Sequence, residues 1–595
     1  MVRSQARLLR ALAVVAAAAL TLAACGGSSP SPSTSPGGSG GTGSTAPSTA
    51  PGQPGGTIYV LTQAEQIDQM DPQRMYTGED LALFGGTIYR SLNAYKFSAD
   101  AAEGTSIVPD LATDTGTPNA DATAWSFTLR DGVTFQDGSP ITCADIAYGT
   151  SRTFATDVIN QGPTYAIAYL DIPQDADGSS SYKGPYKKTG QALFDKAVTC
   201  NGKTITFHLN KPVPDFNYTV TLGFSPVPAA KDTGETYGTV APFAVASGPY
   251  MIQSYTTGNG GKMVMVRNPK WDPASDPYRK AYPDKWEIDF GIDAKVMDQR
   301  LMASTGNDQT AIQYGNIQPE NLGVIFSDTE TPTAQFAGRA VSGFDPYPRY
   351  YWIDVNKIPQ VKIRQAMAVA LDRAAIRLNI GGAFAGDFAD GVIKPNIGID
   401  YAPTGFWTDF FGKAVPDNGD PALAMQLIAD SGVPAPKLTF DFADTPTNQK
   451  TAAIVISSLG KAGFTVTPNP IEPGKYYSVV FDPANPGQFG TGGWGADWPN
   501  ASTVIPPLFT QKGGWDLSQL DNADLNAKVE AAQVELDRTK QAALWQALNK
   551  QGSEQVYVIP TFFGLSQTLA GTKVGPIYRW PAYGSWPYGA MYVKP

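Results

Sequence analysis

From Gly26 to Gly56 the chain uses only Gly, Ser, Thr, Pro and Ala, with Gln53 the single exception. Such a tract has nothing to bury and cannot form a core, so folding is confined to residues 57–595. It behaves as a flexible spacer with a reach of about 5–6 Å times the square root of its length. Its glycines match a phosphate-binding loop only formally, since no strand precedes them and no helix follows. What remains after the spacer is too long for one core at roughly 100–200 residues per domain, and at least two lobes are expected.

The segment before the tract is an address. Residues 1–10 carry Arg3, Arg7 and Arg10 and no acid, and residues 11–24 are an apolar run interrupted only by Thr21. That run is shorter than the roughly 20 residues needed to cross hydrocarbon, and after a basic start it reads as a secretory signal over 1–24. Leu22-Ala23-Ala24-Cys25 resembles a bacterial lipobox. The resemblance implies cleavage before Cys25, lipid on that residue, and a body tethered by residues 25–56 to the outer face of the cell membrane.

Scarcity excludes whole chemistries. The single histidine, His208, rules out a multi-His metal centre, and three cysteines rule out a Cys₄ site, so neither metal nor cofactor is expected. His208 follows Thr204 and Thr206 on one face of an alternating strand whose other face carries Ile205, Phe207 and Leu209, which reads as an exposed sheet histidine. Removing the signal's three arginines takes the basic count from 44 to 41 and the formal charge from −10 to −13. A body this acidic is a poor nucleic-acid binder. Outside the cytoplasm Cys143 and Cys200 are expected to pair, closing a loop of about 58 residues worth about 4 kcal/mol.

Strands are expected from Thr57, from Trp125 and around His208, the last two in one antiparallel sheet beside the cysteine pair. The later half is helical: apolar spacing predicts helices over 361–379, 451–462 and 523–551, with a strand after Gly463 and a final aromatic strand from Val556. Alternating helices and strands point to an α/β lobe.

Six stretches in order resemble the family 5 extracellular solute-binding proteins, the oligopeptide and dipeptide receptors of ABC importers. The most specific runs from Leu129 to Ile146, LRDGVTFQDGSPITCADI. The others are Val108-Pro109-Asp110-Leu111-Ala112, Ser247-Gly248-Pro249-Tyr250, Arg267-Asn268-Pro269, Ile363-Arg364-Gln365-Ala366 with Ala370-Leu371-Asp372, and Gly493-Trp494-Gly495-Ala496-Asp497-Trp498. The resemblance implies an α/β, two-lobed, periplasmic-binding-protein-like (flytrap) fold: lobe I over 57–318 and 551–595, a β-rich subdomain inserted near 104–235, and lobe II over 319–550. It implies a non-enzymatic receptor, monomeric and held at the membrane by its lipid, that takes an oligopeptide between its lobes and passes it to ABC permease subunits.

In that family the acid of the Gly-Trp-x-x-Asp segment meets the peptide's amine. The matching residue here is Asp497, with Trp494 lining the cleft. Asp71, in Met70-Asp71-Pro72, resembles a loop near the cleft, though it reads more readily as a turn-maker. Arg364 matches a motif arginine that is usually structural. Arg349, Tyr347, Tyr350 and Tyr351 either face the cleft or form a hydrophobic seam, the seam being favoured; of the four, Tyr350 is the candidate ligand contact. No basic partner for a peptide carboxylate is identified. Where many relatives continue with Tyr or Asn and an acid, this chain has Trp498-Pro499-Asn500. Oligosaccharide, metal-chelate or opine cargo, and a carboxylate-based hydrolase, are the competing expectations.

Overall fold

The strand Ala340–Ile353 shows how the chain comes to have two lobes. Tyr351 and Ile353 enter one core with Ile363, Val369 and Phe440, while Tyr350 and Trp352 enter another with Ile505, Leu508 and Trp545. A strand buried on both faces has to lie inside a sheet that is covered on both sides. The computed structural model, which describes residues 52–239, 243–482, 484–510 and 514–595, places it there. The six-stranded sheet runs Gly386–Phe388, Val558–Leu569, Ala340–Ile353, Phe489–Gly493, Lys437–Ala443, Thr465–Ile471.

The other end of the same strand belongs elsewhere. Ala340, with Leu569 from the antiparallel partner strand, packs against Leu61, Met297, Ile325 and Phe336. The two strands therefore form a ribbon running from one lobe into the other. Its pairing shifts register between Phe344 and Pro348, and again between Arg349 and Tyr350. Pro346 and Pro348 lack the N–H groups that a regular ladder needs.

The first lobe holds a five-stranded sheet in the order Ala311–Tyr314, Thr57–Thr62, Lys285–Asp289, Lys262–Arg267, Tyr250–Thr256. Ile58, Val60, Trp286 and Ile288 form its core with Trp580, Trp586, Tyr588 and Met591 from the end of the chain. A separate four-stranded sheet, Thr117–Pro118, Ala124–Thr128, Thr204–His208, Val198–Asn201, has its own core. In it Trp125 lies opposite Phe207 and Phe127 opposite Ile205. Cys143 opens the helix Cys143–Arg152 behind a Thr142–Asp145 capping box and is bonded to Cys200 on the edge strand, their Cα atoms 5.9 Å apart.

Two expected helices are each divided. Residues 361–379 form Val361–Ala370 and Arg373–Asn379, and the Asp372 carboxylate accepts from the Ala375 N–H at 2.8 Å to start the second. Residues 523–551 form Ala523–Val534 and Arg538–Glu554, with Asp537 capping the latter through Thr539 and Lys540. An N-cap aspartate restarts a helix while leaving the apolar stripe almost in phase, so periodicity alone runs through the break. Arg364 is buried and donates to the carbonyl oxygens of Ile358, Pro359, Gln555 and Val556, tying the Val361–Ala370 helix to the end of Arg538–Glu554. Among the described residues no helix is long and apolar enough to cross a membrane.

Candidate functional site

Glycines shape the site first. A Cβ added at Gly490 would come within 2.7 Å of the Trp352 ring, at Gly492 within 2.4 Å of Tyr350, and at Gly495 within 2.9 Å of Tyr347. The aromatic side chains of Ala340–Ile353 thus need bare backbone opposite them, and the segment 490–496 offers main chain where side chains would otherwise stand. Among the described residues no hydrogen bond engages the backbone of Gly495 or Ala496. Beside this segment lies a cavity of about 660 Å³. Tyr76, Thr77, Leu222 and Tyr583 wall it from the first lobe, and Tyr347, Arg349, Tyr477, Trp494, Trp515 and Asp497 from the second. The volume is in the range of sites that enclose a small organic ligand.

Asp497 is where three parts of the chain meet. Its carboxylate accepts a hydrogen bond from the Tyr76 hydroxyl at 2.8 Å and another from the Tyr165 hydroxyl. Tyr76 leads into the helix Gly78–Thr87, and Tyr165 opens the short helix Tyr165–Tyr169 in the inserted subdomain. The Asp497 N–H is held by Thr503 Oγ1 at 3.1 Å, which fixes the loop after Phe489–Gly493. Among the described residues no cation pairs with this carboxylate. Burial pushes its pKa up to about 6, opposed only by the two tyrosine hydrogen bonds, and both tyrosines are raised well above their ordinary value by burial and by the adjacent charge. Nearby, Trp498 Nε1 and Ser502 Oγ donate to buried Asp215 at 2.6 and 2.7 Å, so the lobes touch on both sides of Asp497.

Of the residues singled out in the sequence, Trp494 and Asp497 both line the cavity. Trp494 donates to the Thr503 carbonyl at 2.7 Å and packs on Trp515 with ring centres 4.9 Å apart. Asp71 is elsewhere. It is fully buried, forms an ion pair with Arg152 at 2.6 Å, and caps its own turn through the Gln73 N–H. Its charge is neutralised internally, and it is a structural residue rather than a ligand contact. Tyr350 is corrected in the same way: it is buried against Gly492 on the core face of its strand. Arg349 and Tyr347, favoured as a seam, instead line the cavity, whereas Tyr350 and Tyr351 do form the seam. Tyr76, Tyr165, Trp515 and Tyr583 carried no motif to mark them. Cys25 lies outside the described residues. Among the described residues no cluster of His, Cys, Asp and Glu could hold a metal ion.

A family described as bacterial extracellular solute-binding proteins, family 5, matches residues 106–516, more than half of the chain. The chain belongs to this family. The family 5 chain is similar to the periplasmic oligopeptide-binding protein OppA of Salmonella typhimurium, 23% identical over 80% of this chain and 82% of the relative. It is also similar to the oligopeptide-binding protein OppA of Bacillus subtilis, 23% identical over 74% of this chain and 77% of the relative. Among solved structures, the clavulanic acid biosynthesis oligopeptide binding protein 2 superposes with a TM-score of 0.80, 26% identity, and coverage of 91% of this chain and 96% of that one. OppA of Burkholderia pseudomallei superposes with a TM-score of 0.70 at 19% identity, covering 90% of this chain and 99% of that one, and so shares the two-lobed fold.

Proposed function

We propose that this family 5 protein is a receptor that captures oligopeptides between its lobes and delivers them to ABC permease subunits, changing no covalent bond. Asp497 carries the reading. A carboxylate at a cavity wall, answered among the described residues only by neutral hydroxyls, is poorly compensated until a cation arrives, and a peptide's α-ammonium supplies one. The backbone of Gly495 and Ala496, unpaired among the described residues, supports the same reading, because an extended peptide can pair with it as an added strand whatever its sequence. The oligopeptides named for the relatives come to this chain as part of this proposal. Ligand contacts to both lobes favour the closed form over an open one, with the ribbon 340–353 and 558–569 as hinge.

The wall of Trp494, Trp515 and Tyr477 favours a second cargo, an oligosaccharide stacked on aromatic rings. Intrinsic fluorescence separates the two. Peptides are expected to change the tryptophan emission saturably, with the amplitude reduced in Trp494→Phe, while oligosaccharides leave it unchanged. Saturation by sugars and not by peptides would reverse the assignment.

The anchor belongs to the same proposal: Cys25 carries lipid, the monomeric body stands off the outer face of the membrane on residues 26–56, and more than one acyl chain makes the attachment stable. Cys25→Ser is expected to appear in the medium or as an unprocessed precursor in cell fractionation. A processed form that stays with the membrane contradicts the anchor.

A further inference from the structure

The lobes also meet behind Asp497. Trp498 follows it in the chain, and its side chain turns away from the cavity. It is 2% exposed and packs in the first-lobe core that Ile58, Trp286 and Trp580 build, its ring centre 4.8 Å from that of Tyr165. The Trp498 indole N–H and the Ser502 hydroxyl both donate to Asp215 Oδ2. Asp215 stands at the start of the short helix Phe216–Thr219, a position where an aspartate ordinarily caps its own helix. It makes no such bond. Its neighbours Val213 and Phe216 are in the core of the inserted subdomain, while its carboxylate serves the other lobe.

The second lobe holds its side of this contact firmly. Asn500 Oδ1 accepts from the Ser502 N–H at 2.9 Å and caps the turn Ala501–Thr503, and Asn500 Nδ2 donates to Gln541 at 3.0 Å. Asp400 accepts from the Ala501 N–H at 2.7 Å. Arg538, paired with Asp400 at 2.6 Å, adds a positive field at Asp215. Two donors and a cation thus face one buried carboxylate across the lobe boundary, and both sides of this complementary charge are protein. The same turn holds the Asp497 N–H through Thr503 Oγ1 and the Trp494 indole through the Thr503 carbonyl. Closure and the placement of Asp497 are therefore carried by one piece of chain. A second tie lies further along, where Lys211 donates to Gln533 on the helix Ala523–Val534 at 3.1 Å.

We infer that Asp215 is a positioning residue: with Trp498 and Ser502 it forms a latch between the lobes, outside the ligand cavity, that sets the closed fraction of the receptor and so scales the affinity for every ligand by one factor. Opening the lobes withdraws Trp498 from an apolar site and parts a buried carboxylate from both its donors, so the latch favours the closed form. Burial removes solvation from the carboxylate, and the two donors offset that loss only when both reach it, so the latch fastens in one register. A ligand that needs the closed form binds with its intrinsic affinity reduced by the closed fraction. Asp215 touches no ligand in this scheme, and losing the latch lowers affinity without changing preference.

The affinity half of the inference rests on the peptide-receptor reading; the latch itself does not, and small-angle X-ray scattering tests it on the unliganded processed chain. Asp215→Ala and Ser502→Ala are each expected to scatter as more extended particles than the parent. Asp215→Asn, which keeps an acceptor oxygen, should fall between Asp215→Ala and the parent. Saturating Ala-Phe-Ala should return each variant to the parent's liganded curve, which also shows that it is folded. By calorimetry, Asp215→Ala should bind Ala-Phe-Ala and its N-acetylated form each about tenfold more weakly than the parent does, the factor for a closed fraction that falls to about one tenth. Coincident curves for the unliganded parent, Asp215→Ala and Ser502→Ala overturn the latch. A loss confined to one of the two peptides overturns the uniform scaling. If Asp215→Ala stays extended with peptide present, Ser502→Ala, which leaves the first lobe's residues intact, decides on the same two curves. If neither peptide binds the parent, the receptor reading falls while the scattering still decides the latch.

Discussion

Asp497→Asn weakens binding of a free-amine tripeptide by about 30-fold or more, while its N-acetylated counterpart binds variant and parent alike. Truncating one partner of a buried, hydrogen-bonded charge pair costs about 2–5 kcal/mol, much of it from leaving the other charge unpaired. The amide keeps the shape and can still accept from Tyr76 and Tyr165, so the loss reports charge rather than packing. The pH dependence has a definite sign. The empty site's carboxyl titrates at about 6, and an ammonium beside it draws that value down. Affinity for free-amine peptides is therefore full above pH 6 and falls by up to tenfold per unit below it, whereas the acetylated peptide shows no such slope. Stability of the unliganded protein runs the other way. The carboxyl binds its proton more tightly folded, at about 6, than unfolded, at about 3.9, so ionisation destabilises the empty receptor as pH rises through about 6. Calorimetry and thermal melts between about pH 5 and 8 should show Asp497→Asn binding less yet melting higher at the alkaline end. Equal losses for free and acetylated peptides would remove Asp497 from amine recognition.

Replacing both Cys143 and Cys200 by serine lowers the melting of the inserted subdomain by about 10 °C. The bond closes a separation of 57 residues and ties the first helix of the subdomain to its edge strand, Val198–Asn201. Releasing that loop in the unfolded state costs about 4 kcal/mol in the chain-entropy model, and the subdomain has a separate core that can unfold by itself. Scanning calorimetry of the parent with reductant and of the double serine variant should show the same early transition. Because Tyr165 is carried by this subdomain, peptide affinity should fall above the transition and hold below it. A melt unaffected by either treatment contradicts the assignment of the bond as a major support.

Much of the fold was readable as periodicity. Alternation at Trp125 and Phe127 and at Ile205 and Phe207 is local, and these residues lie opposite one another on neighbouring strands. Helical stripes were equally visible, but the caps at Asp372 and Asp537 that divide them were not, because a cap leaves the stripe intact. The site was legible only where a motif marked it, at Trp494 and Asp497. The tyrosines that hold Asp497 lie 421 and 332 residues away and carry no pattern that a one-dimensional reading could pair with it. Asp71 misled for the opposite reason: its partner Arg152 is 81 residues away, and nothing local reveals that its charge is already taken. Alternation counted back from Ile353 places Arg349 and Tyr347 on the core face with Tyr351. The ladder with Phe489–Gly493 ends at Arg349, and at that end of the sheet Arg349 and Tyr347 line the cavity, whereas Tyr351 and Ile353 enter the core.

A crystal structure of the processed chain with a bound free-amine tripeptide tests the account most directly. The account predicts an extended peptide beside Gly493–Asp497, its ammonium within hydrogen-bonding distance, about 3 Å, of the Asp497 carboxylate. A peptide held outside the cavity, or inside it with its amine turned away from Asp497, contradicts it.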